Sequence, residues 1–552
     1  MNNQMCSFYT LIISGLILLG SESVLAEMTY TNPIIPADYS DPDVIRVGED
    51  YYMTASSFNM VPGLPILHSK DLINWKIIGH GVQELPDALY TTKKRKAKDL
   101  SYDLPRPGQG VFAPCIRYHE GYFWIFWGDP DAGMYMVKAK NPEGPWSKPH
   151  LVKKAKGWID TTPIWDEETG RAWVAHAYAR SRAGISSKVA LVEMNWEGTK
   201  VISEDKIVFD ADDPEKYPAD KIHKTIEGCK FMKRNGFFYI LAPAGGVASG
   251  WQTALRSENP EGPYEIRVIC ERGNTNVNGP HQGGLFDTPN GEWWFIHFQS
   301  VNVLGRIVHL QPSKWVDNWP VIGVDENNDG IGNPVLTYKV PNTGYNGKPF
   351  KIQKSDDFEG KDIGLQWQWP ANSGKGYCSQ KNGSLTINSH LSPELTLQDA
   401  PNVITQMFPD FKFEATTKVK LHSNENGVTR GGMAVMGRTC FDIGMESKSG
   451  KLILSVRHGN ELDAAIEIQQ NEVFLKLVAN GEHPFPLKFK GDENRGDVFC
   501  QFSYSLDGET YHPLGEKFKA RAGAWIGARV GLFCLSTEQG QAQLNVDHFS
   551  IH

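Results

Sequence analysis

Three acids recur at one place in a repeating pattern. Asp41, Asp160 and Glu227 stand nine, ten and nine residues ahead of Asp50, Gly170 and Gly236, each the turn residue of a short segment that continues with aromatic or apolar side chains. Ala113 and His281 hold the corresponding places, eight and ten residues ahead of Gly121 and Gly291. Carboxylates gathered from distant parts of a chain oppose one another's ionisation, so a convergent cluster is costly unless it is used. The chemistry that needs such a set is attack of water on an acetal. One ionised carboxylate draws a proton from water, one protonated carboxyl donates to the leaving oxygen, and a third carboxylate keeps the acid's pKa high. A single Asp ahead of a strand is ordinarily a turn residue; recurrence at one relative position is what argues for chemistry.

Bringing such acids together requires repeated elements, and the chain contains them as far as Trp319. The turn segments are Glu49-Asp50-Tyr51-Tyr52, Glu120-Gly121-Tyr122-Phe123, Thr169-Gly170-Arg171-Ala172-Trp173, Asn235-Gly236-Phe237-Phe238 and Asn290-Gly291-Glu292-Trp293-Trp294. Their turn residues step by 71, 49, 66 and 55 positions. A second marker, Trp75, Trp146, Trp196, Tyr264 and Trp319, steps by 71, 50, 68 and 55. Hairpin units of this length fit the blades of a β-propeller, each a four-stranded sheet around a central channel. Five units predict five blades, and positions that open the innermost strands would deliver three carboxylates and a histidine to one end of the channel.

Composition narrows the partners. Lys and Arg number 56 against 64 Asp and Glu, a net charge of −8, which argues against a nucleic-acid binder or a general anionic-membrane binder. Sixteen Trp, 54 Gly and 33 Pro suit short strands joined by turns, with flat apolar rings available to a ligand such as a sugar. The apolar run Phe8 to Gly20 is short for a membrane span, and Val24-Leu25-Ala26 places small residues as a signal-peptidase site requires. Residues 1–26 are therefore expected to be a signal peptide, with export to the periplasm or the medium and no membrane attachment afterwards. A short membrane anchor is the alternative, because the first ten residues contain no Lys or Arg. Cys115, Cys229, Cys270, Cys378, Cys440, Cys500 and Cys534 have no zinc-type spacing; being odd in number, they leave at least one thiol unpaired.

Asn32-Pro33 leading into Ser40-Asp41-Pro42-Asp43-Val44-Ile45-Arg46, His68-Ser69-Lys70-Asp71-Leu72, Ile159-Asp160-Thr161-Thr162-Pro163 and Ile226-Glu227-Gly228 resemble glycoside hydrolase family 43, the β-xylosidase and α-L-arabinofuranosidase family. The resemblance implies a five-bladed propeller and inversion at the anomeric carbon. It implies that Asp41 is the general base, Glu227 the general acid and Asp160 the residue that tunes and orients that acid; Asp43 is the runner-up for the base. It further implies that His281 sits under the sugar and helps hold a calcium ion, usually through water, the alternative being a satisfied core histidine. Arg306 is implied to lie near the sugar, where its fork of donors suits hydroxyls or a catalytic carboxylate; a structural ion pair is its alternative. Phe58 would supply a wall for the sugar; a core aromatic beside a strand is its alternative. Phe112, in Phe112-Ala113-Pro114, stands where many relatives have Trp, so the pocket is expected to differ in shape.

The domains expected are a propeller over 27–323, a linker over 324–354 and a β-sandwich over 355–552. The linker contains Asp325-Glu326-Asn327-Asn328-Asp329-Gly330, half of an EF-hand loop without its bidentate acid at Leu336. Beyond Ser355, alternating strands, turns such as Leu506-Asp507-Gly508-Glu509, and Trp525-Ile526-Gly527 resemble the family's lectin-like, concanavalin-like sandwich. The resemblance implies a sandwich loop that narrows the active-site mouth. The insertion Pro86 to Gly110 carries Lys93, Lys94, Arg95, Lys96 and Lys98; it reads as a solvated loop, or as a contact for an acidic polysaccharide. The sequence thus predicts an all-β, exported, exo-acting, inverting glycosidase. It would remove terminal α-L-arabinofuranosyl or β-D-xylosyl residues from plant cell-wall oligo- or polysaccharides and need no cofactor for the chemistry. The alternatives are a non-catalytic carbohydrate-binding propeller and a retaining fructan hydrolase, whose Asn-Asp-Pro-Asn-Gly signature is missing here.

Overall fold

The computed structural model describes residues 28–92, 100–213, 223–275, 277, 279–423, 427–481 and 496–552. The expected signal peptide and the five basic residues of the insertion, Lys93, Lys94, Arg95, Lys96 and Lys98, lie outside them. Among the described residues no helix is long and apolar enough to cross a membrane.

Each sequence repeat is one antiparallel four-stranded sheet. The first blade is Asp43–Val47, Asp50–Thr54, Gly63–Ser69 and Lys76–Val82. The next three open on Phe112–His119, Trp158–Asp166 and Lys230–Arg234, and the fifth runs from His281–Asp287 to Trp319–Ile322. The turn residues at 50, 121, 170, 236 and 291 all fall in the first hairpin of their blade, where a turn must break the ladder. The aromatic marker falls at the other end of the blade, at or just ahead of its outermost strand, and Trp75, Tyr264 and Trp319 are buried there. The innermost strands neighbour one another in cyclic order, and Asp43–Val47 touches both Phe112–His119 and His281–Asp287, which closes the ring.

Among the described residues no N-terminal strand joins the sheet of the fifth blade, whose four strands are consecutive in the chain. Closure comes from a clasp instead. Thr29–Thr31 pairs with Thr337–Lys339 beyond the propeller, so the segment expected as a linker carries a strand of its own. Asn32, buried between them, donates from Nδ2 to the carbonyls of Leu310 at 2.7 Å and Val335 at 2.9 Å and accepts from the Leu310 amide at 2.8 Å. The half EF-hand sequence forms a turn in which the Asp325 carboxylate accepts the amides of Asp329 and Gly330.

The C-terminal part is two packed antiparallel sheets, of eight and seven strands, with one short parallel pairing at an edge. Lys412–His422 buries every second residue, Phe413, Ala415, Thr417, Val419 and Leu421, as a strand with one face inward must. The apolar core of the sandwich is continuous with that of the first two blades, through Val61, Leu64 and Tyr102 against Trp367, Trp369 and Phe408. Backbone pairing reinforces the contact, since Val61 and Trp369 exchange hydrogen bonds at 2.8 and 2.6 Å. The sandwich is thereby fused to the propeller wall that carries the acids.

The clasp yields a test. Asn32→Ala leaves the Leu310 amide without its partner in a buried site, a loss of about 1–3 kcal/mol, while the Leu310 carbonyl keeps the Tyr30 hydroxyl at 2.7 Å. A lower calorimetric midpoint with unchanged kcat at 25 °C is the expected result.

Candidate active site

Left-handed backbone opens the innermost strands. Asp41, Ala113, Asp160, Gly228 and Gln282 have φ of 53°, 37°, 59°, 69° and 39°. Ladder registers shift beside them, between Phe112 and Cys115, Ile159 and Thr162, and His281 and Gly283. Such bulges kink a strand and re-aim its side chains, and a non-glycine residue in this region costs on the order of 1–3 kcal/mol that the surrounding fold must supply. The five positions that the sequence makes equivalent fall into two groups. Asp41, Ala113 and Asp160 are themselves left-handed, whereas Glu227 and His281 each precede the left-handed residue of their blade.

Asp41 is buried with both oxygens engaged. Oδ1 accepts Arg306 Nη1 at 2.5 Å and Oδ2 accepts Ser56 Oγ at 2.6 Å, while Ser56 Oγ accepts the Ala113 amide at 2.7 Å. The carboxylate is fixed in orientation with lone pairs left over for a water. Asp160 is buried, and its Oδ2 accepts the amide of Gly228 at 2.7 Å. That bond ties Asp160 to the residue immediately after Glu227. The Glu227 side chain, half-buried, makes no hydrogen bond with the described residues and is free to meet a ligand. Asp43 is engaged elsewhere. Its Oδ2 accepts the Ile116 amide at 2.9 Å and Arg117 Nη1 at 2.8 Å, which makes it a strut between the first two blades.

The electrostatics separate the acids. Burial pushes the Glu227 carboxyl up to about 8, with the charges of Asp160 and then Asp41 adding to it and the Arg306 cation opposing. Burial also raises Asp160, to about 6; the Gly228 amide, Lys230 and Arg306 hold it back while Asp41 pushes it up. Of the two, Glu227 is the carboxyl biased toward holding a proton, through burial first and the Asp160 charge second. Lys230, 4% exposed, donates to the Pro114 carbonyl at 2.9 Å and lies 3.9 Å from Asp43. It is a buried cation beneath the acids that sequence reading missed, its only signal being a Lys three residues after Glu227.

The remaining expected residues divide. Arg306 belongs to the site through Asp41, and its guanidinium carbon lies 4.7 Å from the centre of the Phe298 ring. Phe58, 1% exposed, meets Phe112 edge to face with centroids 5.1 Å apart. It backs the wall, and the half-buried Phe112 is the ring with a face to offer. His281 is buried with neither ring nitrogen hydrogen-bonded, and burial, Arg306 and His297 lower its pKa to about 3, so the ring is neutral. Calcium takes six to eight oxygen ligands, and among the described residues no group of three His, Cys, Asp or Glu side chains forms a metal site. The described side chains thus do not build a calcium sphere around His281, and no step runs through one. The wall also includes a residue of the sandwich. Trp525, at φ 68° and 53% exposed, lies 5.6 Å from the Arg306 guanidinium. The sequence showed its motif without the role, because nothing in it brings residue 525 to residue 306.

A five-bladed propeller that holds a proton on one carboxyl and orients a second carboxylate beside a cation defines an acid–base glycosidase. The chain belongs to glycosyl hydrolases family 43, whose profile matches residues 30–320, and a beta xylosidase C-terminal concanavalin A-like domain matches residues 355–552. A Xylanibacter ruminicola protein named "Putative beta-xylosidase" is 38% identical over 92% of this chain and 86% of its own length. "Beta-xylosidase" of Formosa agariphila is 30% identical over 96% and 91%, and "Non-reducing end alpha-L-arabinofuranosidase BoGH43B" of Bacteroides ovatus 27% over 80% and 81%. Among solved structures, one described as Bacteroides ovatus xyloglucan PUL GH43B has the same fold, with a TM-score of 0.76 at 23% identity over 95% of this chain and all of the other.

The charge ordering sets the pH dependence. With Glu227 as the general acid that the family resemblance implies, kcat/KM is expected to fall as pH rises through its pKa. Asp160→Asn removes the neighbouring negative charge, lowers that pKa and moves the alkaline limb to lower pH. A limb that stays in place would show that Asp160 does not hold the proton on Glu227.

Proposed function

We propose that the protein is an exo-acting, inverting glycosidase that releases terminal β-D-xylosyl or α-L-arabinofuranosyl residues from plant cell-wall glycans. The observation that carries the reading is the convergence of three carboxyls held in different ways: Asp41 by Arg306 and Ser56, Asp160 by the Gly228 amide, and Glu227, next to Gly228, by no hydrogen bond with the described residues. Asp41 takes a proton from a water poised on one face of the sugar. As that water attacks the anomeric carbon, Glu227 gives its proton to the glycosidic oxygen on the other side, and the configuration inverts. Asp160 keeps the acid charged with its proton between turnovers. Family membership favours this over a binding-only propeller. The names of the two relatives with higher identity put xylosides ahead of arabinofuranosides, and the half-buried Phe112 together with Trp525 gives a small aromatic mouth suited to one terminal pentose. The apolar run from Phe8 and the small residues at Val24-Leu25-Ala26 support export to the periplasm or medium, where such fragments would be met.

The test is hydrolysis of 4-nitrophenyl β-D-xyloside and α-L-arabinofuranoside, with xylo-oligosaccharides as natural substrates. Proton NMR of the first turnovers should show α-xylose from a β-xyloside; β-xylose would refute inversion. Asp41→Asn should lose 10²–10⁴-fold in kcat on every substrate. Glu227→Gln should lose as much on oligosaccharides and less on the nitrophenyl glycosides, whose leaving group needs little protonation. No release from any of these substrates would overturn the assignment.

A further inference from the structure

Asp38 stands three residues before the base and is not one of the acids that the repeat brings together. It is buried, yet it is saturated with donors from three parts of the chain. Oδ1 accepts the backbone amide of Arg306 at 2.8 Å and Ser40 Oγ at 2.8 Å, and Oδ2 accepts the backbone amide of Gly527 at 2.8 Å. The first of these amides belongs to the arginine that grips Asp41. The second, that of Gly527, belongs to the sandwich, two residues after Trp525, the ring at the mouth.

The packing around the carboxylate admits no side chain. A Cβ on Gly305 would lie 2.4 Å from Asp38 Oδ1 and 2.7 Å from the Gly527 nitrogen, and one on Gly527 would lie 2.7 Å from the Leu304 carbonyl. Two glycines from different domains are needed for the segments to meet, and the carboxylate bridges their meeting point. Next to it the Ala528 amide donates to the Val303 carbonyl at 2.7 Å. The loop beyond is short and closed on itself by a hydrogen bond from the Gly523 amide to the Ile526 carbonyl at 2.8 Å, with Trp525 left-handed at its tip. From the other side the loop meets the insertion, for a Cβ on Gly108 would touch Ala524 and Trp525 at 3.2 Å. The position of Trp525 is thus fixed at its base by Asp38 and braced at its tip by Gly108.

We propose that Asp38 is a positioning residue that couples the sandwich to catalysis, setting Arg306 against Asp41 and Trp525 over the leaving-group side of the mouth from one buried carboxylate. A buried carboxylate that accepts two backbone amides is a stiff joint, since removing it strands both donors where water does not compensate. Its loss would let the Gly523–Ala528 loop and the Arg306 backbone relax independently. The acids themselves would stay where the propeller holds them.

The inference rests on the glycosidase reading, so wild-type turnover of xylo-oligosaccharides is established first; inactive wild type would refute that reading and not this one. The experiment is a double-mutant cycle of Asp38→Ala and Trp525→Ala on full-length protein, with kcat/KM measured on xylotriose and 4-nitrophenyl β-D-xyloside and the thermal midpoint recorded for each variant. Each single change should cost roughly tenfold or more on xylotriose. The double variant should lose clearly less than the product of the two, because Asp38 acts partly through the ring that Trp525→Ala deletes. On the nitrophenyl xyloside Asp38→Ala should lower kcat more than it raises KM, reflecting the displaced Arg306. Multiplicative losses, or a lowered midpoint with unaltered kinetics, would reduce Asp38 to a structural residue and overturn the proposal. Should Asp38→Ala fail to fold, the isosteric Asp38→Asn takes its place in the cycle. Amide hydrogen exchange of residues 523–528 in that variant should speed up while the first strand of blade three stays protected; unchanged exchange in 523–528 would likewise overturn it.

Discussion

The buried ion pair between Arg306 and Asp41 joins the last blade to the first, and the rest of the site is arranged around it. Removing two charges from water is expensive, and the Coulombic gain repays this only when further hydrogen bonds complete both groups. Ser56 completes the second oxygen of Asp41 with a hydrogen bond, and the guanidinium lies over the Phe298 ring, a cation–π contact in place of a further hydrogen bond. In a propeller the junction of first and last blades is where closure must be secured. The chain secures it twice, with the Asn32 clasp at the periphery and with this pair at the mouth of the channel. At the mouth, ring closure and the setting of Asp41 thus share one constraint, whereas the Asn32 clasp secures the ring away from the acids.

Along the channel the charges alternate in a way that serves the chemistry. Arg306 meets Asp41 at the top, Asp160 faces Glu227 beside it, and Lys230, Asp43 and Arg117 form a second paired layer beneath. The lower layer braces the strands and restrains the rise of the Asp160 pKa. Among the described residues none donates a hydrogen bond to Glu227, and burial with the charges of Asp160 and Asp41 raises its pKa against the opposing Arg306. A carboxyl free of hydrogen bonds gives up its proton to a substrate oxygen without first breaking a bond to the protein. The two neighbouring carboxyls are treated unequally, one bonded to an amide and one without a hydrogen bond among the described residues, which suits the proposed roles of tuning charge and acid.

Much of this was legible in the chain because repeats carry position as well as pattern. The turns at Asp50, Gly121, Gly170, Gly236 and Gly291 mark the first hairpin of every blade, and counting back from them finds Asp41, Asp160 and Glu227. The period-two burial of Lys412–His422 is likewise written in its residues. Counting fails where conformation intervenes: Glu227 and His281 sit one residue away from the left-handed position that Asp41 and Asp160 occupy, and only backbone dihedrals distinguish the two groups. Phe58 reads as a wall in sequence because an aromatic beside a strand has two possible sides. Burial assigns it to the inner one and leaves Phe112 at the surface.

The sequence by itself determined the architecture and the recurring places of Asp41, Asp160 and Glu227, because hydrophobic periodicity, turn chemistry and repeated spacing act within a few residues of one another and leave their trace in the chain. Tertiary structure alone decided which carboxyl keeps a proton, that Lys230 lies beneath the acids, and that Asp38, Gly305, Gly527 and Trp525 form one joint. Those outcomes depend on desolvation and on distances between groups that are up to 489 residues apart. No local pattern encodes such distances; they exist only once the ring has closed and the sandwich has packed against it.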